Sequence, residues 1–92
     1  MQQRSVVAKR VTITFPSDRP YEFYATEVSW FAEDLQRVIR QAGLGTLNDI
    51  DRHRGVIWID LADKHHLGNV KSIVRKTLER YSLTADAVVS AA

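Results

Sequence analysis

Two stretches of this chain space their apolar residues at the period of an α-helix, and each has a single apolar stripe. Over Ser29–Ala42 the stripe is Phe31, Leu35, Val38, Ile39 and Ala42, with Glu33, Asp34, Gln36, Arg37, Arg40 and Gln41 on the remaining surface. The second stripe is Leu67, Val70, Ile73, Val74, Thr77, Leu78 and Tyr81, with Lys71, Arg75, Lys76, Glu79 and Arg80 facing away. A helix with one apolar stripe must bury it against another layer. In 92 residues there is room for one core, so the chain reads as a single domain, 1–92, and the layer must be a sheet.

The helix boundaries follow from capping chemistry. Ser29 suits the N-cap of the first helix, and Glu33 and Asp34 then stand early, where the helix dipole favours anions. Gly43 suits the position just past its end, which wants a positive φ. Asp63 suits the N-cap of the second helix. Gly68 costs about 1 kcal/mol relative to alanine inside a helix, so regular helix is expected from Asn69.

Between the stripes the period changes to two. Val11–Phe15 alternates apolar and polar residues, as a strand with one buried face does. Val56–Leu61 is apolar on both parities and reads as a central strand. Leu47–Asp51 is a weaker strand, and Ala85–Ser90 a plausible last one. Pro16–Pro20 is a turn, and the aromatic Tyr21–Ala25 after it reads as the second arm of a hairpin. The expected class is α+β: a mostly antiparallel sheet with two helices packed on one face. Without the Tyr21 segment the order is βαββαβ, the ferredoxin-like arrangement, whose first and third strands are central. With it, the fold is a variant bearing an extra N-terminal hairpin strand. That strand would compete with the C-terminal one for the same edge of the first strand.

Composition narrows the function classes. Apolar residues are 45% and charged residues 26% of the chain, as in an ordinary globular domain. No apolar run approaches the roughly 20 residues of a membrane span. The basic N-terminus carries no apolar signal core, so the expected compartment is the cytoplasm. Without cysteine there is no disulfide, thiolate nucleophile or cysteine zinc site. A net charge of +2 is too small to argue nucleic-acid binding alone.

Arg54-Gly55-Val56-Ile57-Trp58-Ile59 resembles a degenerate form of the RNA-recognition-motif signature on the third strand of this topology. The resemblance covers six residues and implies Trp58 as a base-stacking platform on an open sheet face. It departs from the motif at Val56 and at Thr12 and Thr14, where aromatics are expected, and Asp60 would repel phosphate. Arg54 on that strand and Lys71, Arg75, Lys76 and Arg80, with Lys64, on the second helix are candidate nucleic-acid contacts, although a charged helix face is ordinarily just its solvated side. Asp49, Asp51 and His53 alternate on one strand, and His65 and His66 lie near Asp60 and Asp63, yet no HxH or HxxxH spacing joins them. His53, Asp60, Asp63, Ser29 and Ser72 could serve acid–base or nucleophilic chemistry, but no phosphate loop, GxSxG or GxGxxG is present. No metal or cofactor is therefore expected. Trp30 lies off the first stripe and is a candidate contact residue. The sequence favours a non-enzymatic interaction domain, a homodimer or the partner of another protein. It would use an open sheet face with Thr12, Thr14, Val56 and Trp58, with nucleic-acid binding as the alternative.

Overall fold

A computed structural model describes residues 9–51 and 55–91, those at 48–51 by backbone alone. The class is α+β, as the sequence patterning requires. Four strands, β1 (Arg10–Thr14), β2 (Gly45–Asp51), β3 (Val56–Leu61) and β4 (Val88–Ala91), form one antiparallel sheet in the order β2-β3-β1-β4. Helix α1 (Ser29–Gln41) joins β1 to β2, and α2 (Leu67–Arg80) joins β3 to β4. The two strands with the strongest sequence signal, β1 and β3, are central.

The layer arrangement follows from side-chain parity. Val11 and Ile13 of β1 and Ile57 and Ile59 of β3 are fully buried. They share one core with Phe31, Leu35 and Ile39 of α1 and Val70, Val74 and Leu78 of α2. Successive strand residues point to opposite faces. Both helices therefore cover one face of the sheet, and the other parity lies on the face they leave open. Ala42, counted in the first stripe, is the C-cap of α1 and is exposed.

The segment Tyr21–Ala25 is helical and not a hairpin strand. Residues 21 and 22 begin a helix, a π-helical segment (Phe23–Val28) follows, and it runs without a break into α1. Two constraints override the aromatic strand signal. The edge of β1 that a hairpin arm would need is taken by β4. The aromatics also have partners on the helical side. Phe15 meets Phe23 edge-on at 6.1 Å and Phe31 at 5.8 Å, and the buried Tyr24 donates its hydroxyl hydrogen to Pro16 O. Strand propensity measures packing on a half-buried surface, and here a helix supplies it. Because the helix begins at Tyr21, Ser29 is a buried mid-helix residue and not a cap. Asp63 does cap: its carboxylate accepts from the His65 amide at 2.9 Å, opening a 3₁₀ turn (Lys64–His66) that leads into α2 at Leu67, two residues before Asn69.

Strand β2 carries a register shift between Leu47 and Asp49. Leu47 stands opposite Ile59 and Ile50 opposite Ile57. The two apolar positions are three residues apart, which no regular strand places on one face, and the bulge absorbs the odd residue. Gly55 leads into β3 with φ +66°, and an added Cβ there would lie 3.0 Å from the Tyr24 ring.

Both helices close with the same hydrogen-bond pair. In α1, Leu44 N–H donates to Ile39 O and Gly43 N–H to Arg40 O; in α2, Leu83 N–H donates to Leu78 O and Ser82 N–H to Glu79 O. These are Schellman closures, which need a left-handed residue at the fulcrum. Gly43 takes φ +68° at no steric penalty, whereas Ser82 holds φ +57° with a side chain. Ser82→Gly is expected to raise stability by about 0.5 kcal/mol, and Gly43→Ala to lower it by about 1 kcal/mol. Urea unfolding checks both signs.

Candidate interaction surface

The face opposite the helices is built in rows across the strands. Register sets Val56, Thr14 and Val88 side by side on β3, β1 and β4, then Trp58, Thr12 and Ser90, then Asp60 and Arg10. Directly paired residues of antiparallel strands share a face. The first row is the most apolar, and Val88 is 67% exposed. In the third row Arg10 Nε donates to Asp60 Oδ1 at 2.8 Å. The same guanidinium lies over the indole of Trp58, 5.8 Å from its centroid. Trp58 is thus half covered by a cation whose charge is already balanced by a carboxylate. β2 continues the rows: Thr46 is in register with Asp60, Asp49 with Trp58 and Asp51 with Val56.

The register thus brings Thr12, Thr14, Val56 and Trp58 together on this face. Trp30 is not with them. It is 58% exposed on α1, on the helical side, beside Glu33, Asp34, Arg37 and Tyr81. The candidate nucleic-acid contacts on α2 lie away from Trp58. Lys71 is half-buried, Arg75 and Lys76 are exposed on α2, and Arg80 is engaged by Asp34; Arg54 lies outside the described residues. Among the described residues no group of three or more His, Asp or Glu could hold a metal ion. His53 lies outside the described residues, and His65 Nδ1 pairs with Asp63 at 2.7 Å on an exposed turn. Among the described residues no helix is long and apolar enough to cross a membrane.

Sequence reasoning missed two polar centres. One is the Arg10–Asp60 pair, whose register could be read only after the strands were aligned. The other is Asp34, read as an exposed residue near a helix start. Its side chain is 8% exposed and sits between the helices. Arg80 of α2 donates to Oδ2 at 2.6 Å, Arg37 one turn along α1 donates to Oδ1, and the Tyr81 hydroxyl is 3.4 Å away. Burial pushes this carboxyl up, but the hydrogen bonds and charges of Arg80 and Arg37 outweigh it and hold the group below its ordinary value. A lowered folded-state value stabilises the fold above the unfolded carboxyl pKa of about 3.9, and that stabilisation fades as pH falls through the folded value.

Asp34→Asn is expected to lower stability at pH 7 by about 1–2 kcal/mol. Both guanidiniums are well exposed and rehydrate, so the loss stays below the 3–5 kcal/mol (roughly) of a fully buried pair broken on one side. The gap between variant and wild type should narrow as pH falls below the unfolded carboxyl pKa of about 3.9 and the wild-type carboxylate takes up its proton. Urea unfolding at neutral and at acid pH reads this.

Compared with protein-family models, with curated proteins and with solved structures, the chain matches none.

Proposed function

We propose that this chain is a small, non-enzymatic interaction domain that associates with itself through the open face of its sheet. We read the fold as ferredoxin-like; what supports this is the order β2-β3-β1-β4, with each helix crossing between strands over the same face. The observation that carries the functional reading is Trp58. Its indole stands near the centre of a sheet face that neither helix covers, flanked by Val56, Thr12 and Thr14. Aromatic residues on such a face gain most from burial against a partner.

Electrostatics favours a protein partner over phosphate. The cation on the face, Arg10, is neutralised by Asp60, and two further register positions of β2 are aspartates. A phosphate backbone gains from unpaired cations, and among the described residues the cation on this face is Arg10, already paired with Asp60. The half-buried Lys71 and the exposed Arg75 and Lys76 lie on α2, away from Trp58.

Size sets the strength of the association. Four strands about 4.8 Å apart, each offering five residues at about 3.4 Å, give roughly 300 Å² in projection. A stable interface needs about 800 Å² per partner. The face alone therefore supports a weak, concentration-dependent contact.

Sedimentation from about 10 µM to about 1 mM should show the mean mass climbing above that of one chain, and Trp58→Glu should weaken the climb. A mass of one chain throughout the range would refute the reading. Binding of single-stranded RNA at about 50 mM salt that weakens steeply as salt rises would favour the nucleic-acid alternative instead.

A further inference from the structure

The ladder assigns a direction to every backbone group of β4. Phe15 N–H donates to Gly55 O at 2.7 Å and Leu61 N–H to Lys9 O at 2.8 Å, both in the register that joins β1 to β3. The odd residues of β1 therefore turn their N–H and C=O toward β3, and the even residues toward β4. Thr12 with Ser90 and Thr14 with Val88 are then the hydrogen-bonded pairs of β1 and β4. Val89 and Ala91 must direct their backbone groups outward, where no strand pairs with β4 among the described residues.

The two edges of the sheet are treated differently. The β2 edge is interrupted by its bulge and carries Asn48, Asp49 and Asp51, features that block edge pairing. Val88–Ala91 is uncharged, free of proline and regular, with Val88 exposed beside the edge. An antiparallel edge is its own complement about a twofold axis.

We propose that the outer edge of β4 pairs with β4 of a second copy, joining two sheets into one of eight strands. In a register centred on Val89, that residue exchanges two hydrogen bonds with its counterpart, and Ala87 and Ala91 pair at either side. The axis is perpendicular to the sheet, so the two open faces lie on the same side and merge. Their joint area in projection is roughly 600 Å², closer to what a stable face contact needs. The edge contact stands independently of the face reading, and the two together close as a tetramer of dihedral symmetry.

Amide exchange of the wild-type chain separates the contacts. Between about 50 µM and about 1 mM, the Val89 and Ala91 amides should slow by about fivefold or more as pairing protects them. In a Trp58→Glu background, where face contacts are removed, sedimentation should still detect a dimer. Adding Val89→Pro, which removes the outward N–H and part of a half-buried side chain, should return a single chain that circular dichroism shows still folded. Ser90→Lys, which puts a charge beside the same edge, should do likewise. Val89 and Ala91 exchange that is independent of concentration overturns the edge proposal, whatever Trp58→Glu does. Protection of those amides with no effect of Trp58→Glu on mass keeps the edge and removes the face.

Discussion

The structure depends on one-sided burial. Val11, Ile13, Ile57 and Ile59 can leave water only if both helices lie on the same side of β1 and β3. Each such residue contributes about 1.5–3 kcal/mol when fully buried, so the four together weigh heavily against the entropy of ordering so short a chain. Once that face is chosen, the opposite parity has no say in its own exposure. Thr12, Thr14, Val56, Trp58 and Val88 are on the outside because their neighbours are on the inside. The candidate surface is thus a by-product of the core, and its composition is what gives it significance. On that face the indole stands directly opposite Thr12.

Polar groups divide between the two sides in a related way. On the helical side Asp34 is almost buried and draws Arg37 and Arg80 over itself, fixing where α1 and α2 meet. On the open side Arg10 and Asp60 are both accessible and sit across a strand pair. The buried carboxylate serves stability, since its loss would leave the helix contact without a polar partner. The accessible pair contributes little to stability, in keeping with the small worth of exposed ion pairs. What it does is sit beside Trp58, with the guanidinium over the indole.

Much of the architecture was legible in the residues. The stripes Phe31–Leu35–Ile39 and Val70–Val74–Leu78 and the alternation of Val11–Phe15 identify elements whose burial is decided by period alone. The start of the first helix was not legible, because Tyr21, Phe23 and Tyr24 have the composition of a strand. Their conformation is set by Phe15 and Pro16, which they meet only in three dimensions. Asp34 is hidden for the same reason: counted from Ser29 it stands early on the solvated side of the helix, and with the start at Tyr21 it lies mid-helix against α2. The candidate face was readable as far as Thr12, Thr14, Val56 and Trp58, since parity places them. Trp30 carried the same residue-type signal but lies on α1, and only the packing of the helices separates it from the rest.

The partners Thr12 and Ser90 lie far apart in sequence, and among the described residues β1 is the strand that β4 pairs with. Closing so long a loop for a four-residue ladder yields little gain per residue, so β4 is held by few hydrogen bonds for the entropy its docking costs. Its departure would bare the inner flank of β1 and the floor beneath Val89 at the same moment. A chain caught in that state presents both a vacant slot and a loose strand, the two halves of an exchange between neighbours.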